Sequence, residues 1–198
     1  METSTEKIIR LMLIYPKKRW KQKELAIKAG CSKAFLSKFT KKLLARGIIT
    51  KLDNQIILLS PTKTLNYWHG IRELPKPIYI KSIISKERIL KILEKSDNYC
   101  LTLFSAAWLR IKYMKTASVE AYVLKNKINP LIKKIGRRSI NPTNIVLFPS
   151  DESVFEALEV VDKLRVVNFI QNYVDLMAYG GSGSRVAMKL SEKYKLLE

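Results

Sequence analysis

Carboxylates are scarce in this sequence. Its 198 residues hold 17 Asp and Glu against 37 Lys and Arg, giving a formal net charge of +20 and a pI near 10.0. That balance points to an anionic partner: nucleic acid first, with an acidic protein or a membrane surface as the alternatives. Like charge in such excess repels itself in a monomer, and a polyanion is its natural compensation. Adaptation to heat multiplies charges of both signs and does not account for the imbalance. Histidine occurs once, at His69. No Ser–His or Cys–His nucleophile pair can be drawn with it, and no Cys, Asp or Glu cluster surrounds it to suggest a metal site. Cysteine occurs twice, at Cys31 and Cys100. The two form neither a zinc spacing nor a disulfide framework, which fits a reduced, intracellular protein. No apolar run approaches the roughly 20 residues that span a bilayer. The opening "METSTEKIIRLML" lacks the basic region and long apolar stretch of a secretory signal. The expectation is a cytoplasmic protein with no membrane partner.

What is present suffices for a core. Hydrophobic residues make up 47% and charged residues 27%, in a length that suits one large domain or two small ones. Ile8, Leu11, Met12 and Tyr15 mark the buried stripe of a first helix, beginning near Ser4 or Thr5 and ended by Pro16. In "KQKELAIKAG", Leu25, Ala26 and Ala29 share one face, and Gly30 suits the left-handed residue that stops a helix. Ser32 sits where the next N-cap belongs. Leu36, Phe39 and Leu43 repeat the stripe with Phe35 beside it, while Lys33, Ser37, Lys38, Lys41 and Lys42 take the other faces. Two short helices joined by a tight turn, the second with a basic face, form a helix-turn-helix pattern. "IITKL" and "QIILLS", separated by Asp53-Asn54, read as a β-hairpin immediately after it.

The stretch "FLSKFTKKLLARGII" resembles the recognition helix and first wing strand of winged-helix DNA-binding domains. The resemblance implies that Ser32, Lys33, Ser37 and Lys38 face base edges or phosphates, that Lys41 and Lys42 lie along the backbone, and that Lys51, Asn54 and Gln55 sit at the wing. Lysine and serine go mainly to phosphates and supply register more than sequence choice. The helix carries no Arg, Asn or Gln for bidentate base reading, so discrimination is expected to be modest or to rest on DNA shape. A winged helix used for protein contacts, with merely solvated lysines, is the plain alternative. Against it, residues 1 to 80 hold 17 basic and 5 acidic side chains.

"SPTKTLNYWHGIRE" reads as a further helix, capped by Ser60 with Pro61 at its first position and Leu65, Trp68 and Ile71 inward. "ELPKPIYI", with two prolines, is the linker candidate. The expected domains are therefore 1–76 and 77–198. In the second, "KERILKILEKS", "SAAWLRIKYM", "NFIQNYVDLMAY" and "SRVAMKLSEKYKLL" read as helices. "YCLTLF", "SVEAYVL" and "NIVLFP" read as strands, and "ALEVV" and "LRVV" as a hairpin around Asp162-Lys163. The fold class is α+β: an N-terminal winged helix-turn-helix domain, then a mixed α/β domain with a small sheet.

Chemical motifs are weak. "YGGSGSR" lacks the spacing of a phosphate loop and lies between two helices, so it reads as a connection. Asp151-Glu152 follows a strand-like run as metal-binding carboxylates do, but Ser150 and Asp151 are good caps, and the cap is the favoured reading. No catalytic residue, metal ligand or cofactor is assigned.

"LFPSDESVFEALEVVDKLRVVNFIQNYVDLMAYGGSGSRVAMKL" resembles the C-terminal region of the AbiEi-like antitoxins of type IV toxin–antitoxin systems, and "FSAAWLRIKYM" resembles that family's Ser-Ala-Ala helix. A winged helix precedes this region in the family. The resemblance implies a protein that binds double-stranded DNA, represses its own promoter and counters a nucleotidyltransferase-like toxin. The Lys-rich recognition helix departs from the family's pattern. Alternatives are a metal-dependent nuclease or nucleotidyltransferase using Asp151, Glu152, Glu120 or Asp175, and a sequence-neutral chromatin or RNA-binding protein. A second protomer is a further partner that the C-terminal domain could hold.

Overall fold

The computed structural model describes residues 3–140 and 143–196. The chain is mixed α+β and divides into two compact units between Arg72 and Glu73.

The first unit is built from α1 (Ser4–Ile14), β1 (Trp20–Lys21), α2 (Gln22–Lys28), α3 (Lys33–Ala45), β2 (Ile49–Leu52), β3 (Gln55–Leu58) and α4 (Pro61–Ile71). The cap of α1 is Thr3, one residue before the expected Ser4 or Thr5. Its side chain accepts from Glu6 N while the Glu6 carboxylate accepts from Thr3 N at 2.9 Å, a reciprocal capping box. Three strands form an antiparallel sheet in the order β1-β3-β2. Asp53 and Asn54 turn β2 into β3 with φ of 50° and 61°, the left-handed pair that matches the twist of a two-residue hairpin. β1 escapes any periodicity argument because it is two residues long, yet it pairs Trp20 with Ile56 and buries the Trp20 side chain. Ile8, Met12, Leu25, Leu36, Leu43, Ile56 and Trp68 fill the core. Ile71, expected inward, is exposed at the end of α4.

The second unit holds β4 (Ile78–Lys81), α5 (Lys86–Glu94), β5 (Tyr99–Leu101), α6 (Leu103–Ile111), β6 (Val119–Leu124), α7 (Ile128–Ile135), β7 (Arg137–Arg138), β8 (Ile145–Ser150), β9 (Glu159–Val161), β10 (Leu164–Val166), α8 (Phe169–Tyr179) and α9 (Ser182–Tyr194). Its sheet is not small. Seven strands run in the order β7-β4-β8-β6-β5-β10-β9. The β6–β8 and β5–β10 pairs are parallel and the others antiparallel. Two of these strands lie outside the expected set: β4 inside the presumed linker, and β7 with two residues. Period-2 alternation sorts the faces. Val119, Ala121 and Val123 of β6 join Ile145 and Leu147 of β8 in one core with Ile89 and Leu93 of α5 and Ile128, Leu131 and Ile135 of α7. Glu120 and Tyr122 point the other way and bond to residues of α6 and α8.

That second interface carries buried polar groups. Asp175, fully buried on α8, accepts from Thr102 Oγ1 at 2.7 Å, Tyr122 OH at 2.9 Å and Gln171 Nε2 at 2.8 Å. Arg110 of α6 donates to Asn172 Oδ1 at 3.2 Å and to the carbonyl of Val167, and pairs with Glu159 at 3.1 Å. Among the described residues no helix is long and apolar enough to cross a membrane.

Candidate nucleic-acid interface

The helix pair α2–α3 turns through Gly30, whose φ of 62° is open to glycine at no steric cost. Ser32 then caps α3, its Oγ accepting from Phe35 N at 3.1 Å. Leu36, Phe39, Thr40 and Leu43 are buried, and the Thr40 hydroxyl is turned back onto the Ser37 carbonyl at 3.0 Å. This stripe commits one side of α3 to the core and presents the rest. Lys33, Lys38, Lys41 and Lys42 are exposed, and Ser37 is half-buried. Gly47, with φ of 61°, leads from α3 toward β2. On the hairpin, Lys51 and Asn54 are exposed and Gln55 is half-buried. Asn54 has a conformational task as well, since few side chains tolerate its φ.

Electrostatically the face is uncompensated. Among the described residues no carboxylate pairs with Lys33, Lys38, Lys41, Lys42 or Lys51. The carboxylate on α2, Glu24, is already taken by Lys18 at 2.6 Å, and that hydrogen bond holds its pKa below the usual carboxylate value.

One residue of the face differs from expectation. Phe35, placed beside the buried stripe, is 40% exposed. At about 100° per residue, Ala34, Lys38 and Lys41 point away from the stripe and Phe35 lies roughly a quarter turn from it. The signal is present in that spacing, but a phenylalanine is ordinarily assigned to the core. Its ring stacks on Phe39 at 6.3 Å between centroids, and Phe39 in turn meets Tyr67 of α4.

Of the carboxylates weighed for catalysis, Asp151, Glu120 and Asp175 accept hydrogen bonds within the second unit. Asp151 caps a short 3-10 turn, Glu152–Phe155, by accepting from Ser153 N at 3.0 Å. Glu120 borders a cleft of about 420 Å³ walled by Tyr79, Phe104, Phe148 and Tyr179. Its carboxylate accepts from Ser105 N at 2.9 Å, from Thr116 Oγ1 at 3.1 Å, and from the hydroxyls of Ser105 and Ser118. Four donors occupy the roughly four lone-pair sites a carboxylate offers. Together with Asp175 it fastens α6 to the sheet and to α8. Among the described residues no group of three or more His, Cys, Asp or Glu side chains converges on a metal position. The segment "YGGSGSR" joins α8 to α9, with Gly183 buried against the Leu176 carbonyl and Arg185 exposed.

No family model matches the chain, and comparison with curated proteins and with solved structures returns no match.

Proposed function

We propose that the chain is a duplex DNA-binding transcriptional regulator without enzymatic activity, its first unit a winged helix-turn-helix domain and the whole an autorepressing antitoxin of the type IV, AbiEi-like kind. The observation that carries the DNA reading is the unpaired lysine face of α3, held outward by its own buried stripe. The element order supports it. A helix pair with a tight turn is followed at once by a hairpin, and an α-helix of this size fits the major groove with its N-terminal side chains at the base edges. In this reading Ser32, Lys33, Ser37 and Lys38 meet base edges or phosphates, Lys41 and Lys42 follow the backbone, and Lys51, Asn54 and Gln55 act from the wing. The second unit positions a partner, either a nucleotidyltransferase-like toxin or a second protomer.

The test is a titration of two fluorescent duplexes, the gene's own upstream region and a scrambled copy, across a salt series. Tight binding to the upstream duplex with weak binding to the scrambled one is expected. Equal binding with a steep salt slope makes the protein sequence-neutral, a reading favoured by the absence of Arg, Asn and Gln from α3. No binding to either removes the DNA reading. The antitoxin reading is tested by co-expression with a nucleotidyltransferase-like product of a neighbouring gene, where restored growth is expected.

A further inference from the structure

The first turn of α3 offers an apolar pair where a DNA-reading helix would carry its base contacts. Ala34 and Phe35 follow the Ser32 cap, and both are exposed. Lys33 and Lys38 flank them and are exposed as well. Phe35 is no loosely hanging ring. Its interplanar angle to Phe39 is 26°, and Phe39 is 5% exposed and lies against Tyr67. Arg46 covers Tyr67 with its guanidinium 4.8 Å from the ring centre. An aromatic column thus runs from α4 through the core and ends at the surface in Phe35. A ring braced in this way is preorganised, so little side-chain freedom is lost when it meets a ligand.

We propose that Ala34 and Phe35 form an apolar subsite for the C5 methyl group of a pyrimidine, which in an unmodified duplex is thymine. The inference rests on the reading of α3 as the DNA-facing helix and names what that helix reads. In the major groove every base pair presents donors and acceptors, and the apolar feature among them is the thymine methyl. α3 has no Arg, Asn or Gln to satisfy the polar edges. It has two apolar side chains in the turn that approaches them. The lysines on either side have phosphates as their natural partners, which fix register while the apolar pair supplies the preference. The small Ala34 side chain permits close approach, and the Phe35 ring provides the surface.

The experiment uses the full chain. A pool of duplexes with a random central segment is selected against it, and the enriched duplex is titrated by fluorescence anisotropy. Each thymine is then replaced by deoxyuridine, which removes the methyl group and leaves the pairing edge unchanged. At one or two positions the replacement weakens binding about fourfold, the effect of taking one methyl out of an apolar contact. Phe35→Ala binds the thymine and deoxyuridine forms equally, and Phe35→Leu retains part of the difference. Lys38→Ala weakens both forms and preserves their ratio. Melting curves confirm that each variant is folded. Equal affinity for both forms at every position overturns the subsite, as does a deoxyuridine penalty that survives undiminished in Phe35→Ala. Binding without any methyl dependence leaves the DNA reading of α3 standing. Absence of binding to any duplex removes that reading and the subsite with it.

Discussion

Glu6 serves two helices at once. Its carboxylate completes the capping box of α1 and also accepts from Arg72 Nη1 at 2.9 Å, just past the end of α4. The two side chains are 5% and 1% exposed, so neither charge has access to water in place of its partner. Leaving one such charge buried and unpaired costs about 3–5 kcal/mol. Arg72→Ala is therefore expected to lower the stability of the first unit by an amount of that order, measured by urea unfolding followed through the fluorescence of Trp20 and Trp68. Arg72→Lys recovers part of it, since a lysine supplies the charge without the planar fork. A loss below about 1 kcal/mol, well under the cost of an uncompensated buried charge, would show that the pair is not a tie between the helices. Residue-scale features are legible in the sequence where the cause is local. Ser32 and Ser60 both cap the helices they precede, accepting from the backbone N–H three residues on. Glu6 and Arg72 stand 66 positions apart, and nothing local announces their pairing. Phe35 misleads for a different reason. Its type argues for burial while its helical angle argues against it, and here the angle decides.

At the scale of elements, the α8–α9 corner shows how a glycine can be required by a neighbour and not by its own backbone. Gly183 donates to the Gly180 carbonyl at 2.8 Å, and a Cβ added to it would lie 2.4 Å from the Leu176 carbonyl oxygen. That oxygen belongs to the backbone of α8 and cannot swing aside as a side-chain end would. Gly183→Ala is expected to destabilise the second unit by about 1–3 kcal/mol, the range for overpacking, read as a lower melting temperature with Trp108 fluorescence as the probe. An unchanged melting temperature would mean that the corner opens without cost. Helices with a long apolar period, such as α1, α3 and α8, and hairpins with a two-residue turn are readable from sequence. α7 is absent from the expected elements, although Ile128, Leu131, Ile132 and Ile135 fall at the right spacing. Pro130 interrupts that run, but it lies in the first turn, where a missing N–H leaves no intrahelical bond unmade. β1 and β7 escape a reading by pattern because two residues carry no alternation to register, and β4 because the two prolines just before it read as a linker. The sheet is therefore larger than its legible strands, and Glu120, Asp151 and Asp175, weighed for catalysis, hold hydrogen bonds within the fold that sequence alone does not announce.

For the whole molecule, the charge outside α3 raises its own question. From residue 121 to residue 150 there is no Asp or Glu, and Lys125, Lys127, Lys133, Lys134, Arg137 and Arg138 are all exposed. Among the described residues none of the six pairs with a carboxylate. Cations that touch a phosphate and cations that only contribute to the field differ in kinetics. Removing a cation that touches a phosphate raises the dissociation rate and lowers the salt slope by about one for each phosphate released. A field contribution instead speeds encounter, and salt removes it, because the screening length falls from about 8 Å at physiological ionic strength to about 3 Å at 1 M. Lys38→Ala with Lys41→Ala is expected to behave in the first way in stopped-flow or surface-based kinetics on duplex DNA. Exchange of Lys133, Lys134, Arg137 and Arg138 for Gln is expected to behave in the second: association slows several-fold at low salt, dissociation is unchanged, and the difference vanishes as salt rises. Faster dissociation in the four-residue variant would make that stretch a binding surface in its own right. Unchanged dissociation in the α3 variant would take the helix out of the interface and transfer the search for it to the second unit.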